Sequence, residues 1–304
     1  MLSWIRQLAP RRLASAAGAM LLGGSRACLL CSRAVGSSSA RVTAKRANRR
    51  APHEGSDRAA HQDGIRADLP RVDAADHHLG RVMSTLSRSL CQRCLESIPW
   101  IMDVACVVCG RAIACPDCTR RSDPALIANR AAVRYDSTMK EWLAAYKYSG
   151  HERLQRLISL MLDHAYAELA AEVAKADPDA DFHPLITSVP LSRQRLLERG
   201  FNQAERIASD LADRHGLQYR NMLCRIRHTD RQSHKTRAER LRDLAGAFSL
   251  DPSVDELTQG HDWPTYTCIL LIDDVYTTGS TLHECAKVLH ANLSLPVYSV
   301  TWAR

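Results

Sequence analysis

Residues 270–281 read LLIDDVYTTGST, an apolar run set directly against two acids and then a group of hydroxylated residues around one glycine. With Ile269 included, Ile269, Leu270, Leu271 and Ile272 are all apolar and partly β-branched, as a strand buried on both faces of a parallel sheet must be. Asp273 and Asp274 then fall at the carboxyl end of that strand, where open α/β sheets bind their ligands. Thr277, Thr278, Gly279, Ser280 and Thr281 offer hydroxyls and backbone N–H groups, and the STLHECAKVLHAN that follows carries apolar residues at helical spacing. A loop opening a helix presents free N–H groups and the positive end of the dipole to an anion. Gly279 permits close approach of the backbone. The stretch therefore reads as a phosphate cradle beside two carboxylates able to accept hydrogen bonds from a sugar diol. Strand, paired acids and helix also occur in response-regulator-like sheets and at metal sites, and Thr-Gly-Ser serves ordinary turns and caps. A P-loop is excluded, because Gly-x4-Gly-Lys-Ser/Thr is absent and no lysine reaches the terminal phosphates. The dinucleotide fingerprint is absent as well.

The chain has 304 residues, 45% of them hydrophobic, which suffices for one sizeable core and a smaller module. Its net charge of +8 is uneven: residues 1–90 hold 15 Lys+Arg against 6 Asp+Glu, leaving 26 against 27 for the rest. A basic balance suggests nucleic acid or a membrane surface. Here the excess comes from a segment, about 32–90, rich in Arg, Ala, Ser, Asp and His, whose few large apolar residues predict disorder and a solvated linker. Residues 1–27 predict an amphipathic N-terminal segment rather than a secretory signal, since Ala, Gly and Ser dilute their apolar stretch. No run approaches the roughly 20 apolar residues that span a bilayer.

Eight of the 11 cysteines form Cys-x2-Cys pairs: Cys28/Cys31, Cys91/Cys94, Cys106/Cys109 and Cys115/Cys118. A pair at this spacing aims two thiolates at one tetrahedral ion, and two pairs complete a closed structural Zn(II) site. Disulfides are the competing reading, disfavoured for a chain without a convincing export signal, which is expected to be cytoplasmic and reduced. Cys106, Cys109, Cys115 and Cys118 make a local site. Cys28 and Cys31 would join Cys91 and Cys94 across 59 residues, a closure that adds little cost over a short one. Cys224, Cys268 and Cys285 read as small core residues. A further strand, PLITSVPL, ends at Pro190. Arg193, Arg195 and Arg199 then crowd a predicted loop before a helix starting near Asn202, and arginines recognise phosphate bidentately.

The stretch of four apolar residues, two acids and Thr-Thr-Gly-Ser-Thr resembles the phosphoribosyl-pyrophosphate (PRPP) motif of type I phosphoribosyltransferases. The resemblance implies that Asp273 and Asp274 hold the ribose hydroxyls and that Thr277, Thr278, Gly279, Ser280 and Thr281 hold the 5'-phosphate. From Cys28 onward, the order of features resembles the ComF family, bacterial proteins linked to uptake of transforming DNA, with some related members linked to gluconate utilisation. The residues that carry it are CLLC, CQRCLESIPW, CVVCG and CPDC, then VRYDSTMKEWLAAYKYSGHERL (133–154) with its Lys147 and Gly150. SVPLSRQRLLERGFNQAERIASDLA (188–212) holds Arg199-Gly200-Phe201-Asn202-Gln203. That element implies pyrophosphate binding by Arg195, Arg199 and Gly200. Residues 227–248 resemble the hood loop that phosphoribosyltransferases close over substrate, with Thr229, Gln232, Arg237, Arg240 and Phe248 matching and Asp243 standing where the family usually has asparagine.

These readings imply a type I phosphoribosyltransferase-like parallel sheet flanked by helices over residues 125–304. It is preceded by a small double zinc module over 28–120 that contains the basic insertion. An enzyme of this type would transfer a phosphoribosyl group from Mg(II)-bound PRPP to an acceptor, although no base-recognition residues are evident. An adaptor of a different class would keep the PRPP pocket as a sensor and contact single-stranded DNA or a DNA-uptake helicase. Such contacts need stacking aromatics, for which Trp100, Trp142, Tyr146 and Tyr148 are the candidates.

Overall fold

The computed structural model describes residues 27–35, 74–113, 115–119, 125–149, 152–178, 181–227, 244–259 and 263–304. Its centre is a four-stranded parallel sheet of β1 (Asn129–Val133), β2 (Pro184–Ser188), β5 (Cys268–Val275) and β6 (Val297–Ala303), in the order β1-β6-β5-β2. The apolar run falls on β5, which is hydrogen-bonded on both sides. Leu185 pairs with Ile269 and Ser188 with Ile272 on one flank, and Ile269 pairs with Val297 and Asp273 with Thr301 on the other. A strand paired on both edges and covered on both faces needs this unbroken hydrophobicity.

Alternate residues of the strands feed two cores. Ile186, Leu270, Ile272, Val300 and Trp302 meet α5 (Glu152–Ala176) and α7 (Gln203–His215) on one face. Leu185, Ile269, Leu271 and Val297 meet α9 (Ser280–Leu293) through Leu282, Cys285, Ala286 and Leu289 on the other, where the short α8 (Val254–Thr258) adds Val254. The long α5 buries Leu154, Leu157, Ile158, Met161, Leu162, Ala165 and Leu169, one stripe at three- and four-residue spacing. A fork from Arg214 to Asp163 at 2.7–3.1 Å locks α7 onto α5. Burial works against the Asp163 charge, but His215 and Arg214 outweigh it and hold the carboxyl below its usual range.

Two expectations are corrected. Residues 74–86 of the stretch expected to lack structure form α1 (Ala74–Leu86), because Leu79, Val82, Met83 and Leu86 supply an apolar stripe that packs on α5. Residues 193–199, expected as a loop, form the two-turn helix α6 (Arg193–Arg199). Ser192 caps it by accepting from the Arg195 N–H, and Gly200 ends it at φ 77°. The helix near Asn202 starts there as read, with the Asn202 side chain accepting from the Ala204 N–H at 3.2 Å. The amphipathic segment expected over 1–27 lies outside the described residues except for Ala27, and so do residues 36–73 of the basic stretch. Among the described residues no helix is long and apolar enough to cross a membrane.

The cysteine-bearing segments are built into both cores. Cys28 and Cys91 join the α1 and α5 side, with the short α2 (Gln92–Glu96), whereas Cys106, Cys109 and Cys115 join the α9 side, with α3 (Pro116–Thr119). Between them, residues 99–101 run antiparallel along the outer edge of β1, Ile101 N–H donating to Ala132 O and Arg134 N–H to Pro99 O. Gly110 turns there at φ 70°, where a Cβ would stand 2.5 Å from the Asn129 carbonyl oxygen. Gly110→Ala combines a left-handed strain with an overlap against the backbone, and each costs about 1–3 kcal/mol. We expect a loss of at least about 2 kcal/mol in chemical denaturation of the metal-replete protein, and a change within 0.5 kcal/mol would show that the turn yields freely.

Candidate functional site

Parallel pairing leaves β5 open only at its carboxyl end, and the two acids stand in its last turns of pleat. The Asp274 N–H donates to the Asp273 carboxylate at 2.8 Å. Lys147, in the last turn of α4 (Ser137–Ser149), sets its Nζ 2.6 Å from Asp274 Oδ2, with both side chains largely buried. Burial and the neighbouring Asp274 charge push the Asp273 carboxyl up to about 7, against the pull of the Asp274 N–H, Lys147 and Arg225.

The loop that follows is tightly made. Gly279 caps α9 at φ 74°, and a Cβ there would overlap the Tyr276 ring. Thr278 and Ser280 share a hydroxyl hydrogen bond of 2.8 Å. Ser280 N–H approaches the Thr278 hydroxyl at 3.4 Å, and the Gly279 carbonyl accepts from His283 N–H. Thr277 is exposed while Ser280 is buried, so one side of the loop faces outward above the positive end of a 14-residue helix.

A second side of the site comes from α6. Arg195 lies within electrostatic range of Arg199, Tyr148, Glu198 and Asp274, and burial together with Arg199 pulls its pKa down. The Arg199 guanidinium lies 5.5 Å from the Tyr148 ring centre and donates to Gln203 Oε1 at 2.8 Å, while its buried Nε has no partner among the described residues. Gly200 has no neighbour within 4 Å of a would-be Cβ. Its role is the left-handed helix end and not close packing. Arg225, on β3 (Leu223–Arg225), interacts electrostatically with Asp273 and Arg195. Two cationic elements, α4 with Lys147 and α6 with Arg195, thus lie within electrostatic range of Asp274. β3 pairs antiparallel with β4 (Phe248–Leu250), and Ile226 N–H donates to Ala247 O. The strands hold the two ends of the segment read as a hood loop. Phe248 is buried on β4, whereas Thr229, Gln232, Arg237, Arg240 and Asp243 lie outside the described residues.

The eight paired cysteines gather as two tetrads, Cys28/Cys31/Cys91/Cys94 and Cys106/Cys109/Cys115/Cys118, with all four sulfurs of each within 4.8 Å of one another. Backbone N–H groups point at the sulfurs. At Cys28 burial opposes the charge, but donors from Cys91, Leu30 and Cys31 bring the thiol down to about 7; at Cys115 burial is likewise outweighed by Cys118 and Asp117, again to about 7. Four converging thiols with N–H support suit a tetrahedral soft-ligand ion, so each tetrad can hold a metal. Cys268 and Cys285 are buried apart from the tetrads, as read, while Cys224 is partly buried and 3.1 Å from Asp251.

Sequence reading did not single out Arg225, Asn129 or Arg304. Asn129 is wholly buried; it donates to the Cys109 carbonyl at 3.2 Å and accepts from the Ser299 hydroxyl at 2.9 Å. Arg130 donates to Val107 O at 2.9 Å and pairs with Glu172. An asparagine and an arginine inside a strand that also reads NRAAV carry one weak signal: polar groups in a buried strand require partners.

No family model matches the chain. It is 31% identical over 209 residues to competence protein ComFC of Bacillus subtilis (strain 168), covering 66% of this chain and 77% of that protein. It is 29% identical over 204 residues to competence protein ComFC of Streptococcus pneumoniae (strain ATCC BAA-255 / R6), 66% of this chain and 80% of that one. DNA utilization protein YhgH of Escherichia coli (strain K12) is 33% identical over 140 residues, 46% of this chain and 53% of its own length. At 31% identity over 77% of a ComFC chain, the relationship is one of family: this protein belongs to the ComF family.

Proposed function

We propose that the protein binds PRPP with Mg(II) at the carboxyl end of β5 and acts in DNA uptake, a reading supported by relatives named for competence and for DNA utilization. One observation carries the reading. Paired acids at the end of a central parallel strand run into a glycine-pinned loop at a helix N-terminus, with Arg195 in electrostatic range of Asp274 and a buried Arg199 Nε that has no partner among the described residues. Asp273 and Asp274 would accept from the ribose diol, and Thr277 to Thr281 would cradle the 5'-phosphate. Arg195 and Arg199 would meet the pyrophosphate, which gives them a doubly charged partner that α6 itself lacks. Mg(II) would shield the diphosphate. In this arrangement Lys147 is the counterion of Asp274 in the ligand-free protein, and the incoming sugar competes with it. If a transfer is catalysed, these residues contribute orientation and stabilise charge on the departing pyrophosphate.

The two tetrads are proposed as structural Zn(II) sites in a chain kept reduced in the cytoplasm. Full thiolate coordination leaves no open position for water. Their burial in the two cores ties metal binding to folding.

Calorimetric titration of PRPP with Mg(II) into zinc-loaded protein should show one saturable site. Asp273→Asn/Asp274→Asn should abolish it; absence of binding by folded wild-type protein would overturn the reading. A diol donates to an ionised carboxylate, so PRPP affinity should fall as pH drops below about 7, by up to tenfold per unit for one coupled proton. The stability of the free protein should move the other way. A carboxyl raised above its unfolded value contributes stability below the unfolded pKa that is lost as pH rises through about 7. Asp273→Asn should flatten both curves, and a pH-independent affinity would remove Asp273 from the site. Metal analysis should find two zinc ions per chain, and Cys115→Ser about one. Stripping the metal should lower the melting temperature by on the order of 10 °C, whereas an unchanged melting point would show that the tetrads do not depend on metal.

A further inference from the structure

The second tetrad and the loop at residues 276–281 are joined by one side chain. Arg304 follows β6 and stays in register with β1: its N–H donates to Val133 O, and its carbonyl accepts from Tyr135 N–H. Its guanidinium then reaches two places at once. Nη1 donates to the carbonyls of Tyr276 at 3.0 Å and Thr277 at 2.9 Å, and Nη2 donates to Cys109 Sγ at 2.9 Å. The guanidinium also stacks 4.2 Å from the centre of the Tyr276 ring. The same ring lies against Gly279, and its hydroxyl meets His283 Nε2 at 3.3 Å. Tyr276 and Cys109 are both essentially buried. Cys109, Arg304, Tyr276 and Gly279 therefore form an unbroken packed path from a metal-ligand sulfur to the cap of α9.

We infer that Arg304 is a positioning residue that couples metal at Cys106, Cys109, Cys115 and Cys118 to phosphate binding by the loop. Each state strengthens the other. A guanidinium presents its donors in a rigid fork, so the place of the sulfur sets the place of the two loop carbonyls. A thiolate held in a closed metal site is a fixed, negatively charged acceptor, and hydrogen bonds to it are charge-assisted. When the tetrad opens, Nη2 loses that acceptor and the Tyr276 and Thr277 carbonyls lose their fixed donor. The first tetrad sits in the other core and has no such path among the described residues. Coupling between sites is reciprocal, so phosphate at the loop should slow loss of metal from the second tetrad and leave the first unaffected. The inference rests on the proposed phosphate site, but the state of the loop can be read without any ligand.

The test uses the full chain and three readouts: amide hydrogen exchange over residues 276–281, zinc content, and affinity for Mg(II)-PRPP with inorganic phosphate as a second probe. Cys115→Ser should raise loop exchange and weaken both ligands about tenfold, within the usual range of coupling, whereas Cys28→Ser should leave the loop as in wild type. Arg304→Ala should reproduce the loosened loop with both zinc ions retained. It should also abolish the protection that phosphate gives to the second zinc against a chelator. Arg304→Lys keeps the charge but not the fork, and should behave as Arg304→Ala; it carries the test if the alanine variant does not fold. Wild-type loop exchange and affinity in the arginine variants, or equal loosening by Cys28→Ser and Cys115→Ser, would overturn the coupling. If wild-type protein binds neither probe, the PRPP reading fails, and the exchange of the loop in the variants still decides the role of Arg304.

Discussion

A parallel strand hydrogen-bonded on both edges and covered on both faces can offer a ligand only its end. β5 is in that position, and the rest of the molecule is arranged around it. Its first five residues are apolar and buried because there is no water to face, and the two acids begin where the covering layers stop. The same geometry sends the chain into a turn that must start a helix over the α9 core, which puts free N–H groups and a glycine beside the acids. Two carboxylates and the positive end of a helix, groups of opposite electrostatic character, are thereby held side by side by backbone alone.

Holding Asp273 and Asp274 next to each other in a partly buried strand end is unfavourable, and the surrounding residues show how the cost is met. Asp274 has Lys147 at 2.6 Å, while Asp273 has the Asp274 N–H at 2.8 Å and more distant help from Arg225, which is not enough to keep its carboxyl in the ordinary range. Arg195 and Arg199 crowd each other, and Arg199 keeps a buried Nε without a partner among the described residues. Like charges gathered in this way, two acids at the strand end and two arginines on α6, are the kind of arrangement that marks a functional site more often than a structural one.

The cysteine tetrads do more than add a module to one end. They are inserted into the two cores on opposite faces of the sheet, and Asn129 and Arg130 hold the carbonyls of the second tetrad's turn from within β1. A cysteine tetrad able to hold a metal, supported by strand hydrogen bonds, becomes part of the sheet's edge. Through Arg304, it also becomes part of the wall beneath the loop.

Much of this was legible in the residues themselves. Period and composition revealed β5, β2, α7 and α9, because a doubly buried strand and an amphipathic helix leave unmistakable patterns, and Cys-x2-Cys spacing revealed the ligand sets. Local chemistry was misread where a cap decides: the arginines after Pro190 look like a loop until Ser192 and Gly200 are recognised as the two ends of α6. The helix at 74–86 was hidden by the polar composition of its neighbours, since a stripe of four apolar residues means little until α5 is there to receive it. What the amino-acid order determined alone was the strand end, the loop and the sulfur pairs, all of which act within a dozen residues. Which pairs join, that Lys147 neutralises Asp274, and that Arg304 spans from Cys109 to Tyr276 were decided only by tertiary structure. Those contacts cross from 28 to 195 positions of sequence, and pattern carries no information over such separations until the sheet brings the ends together.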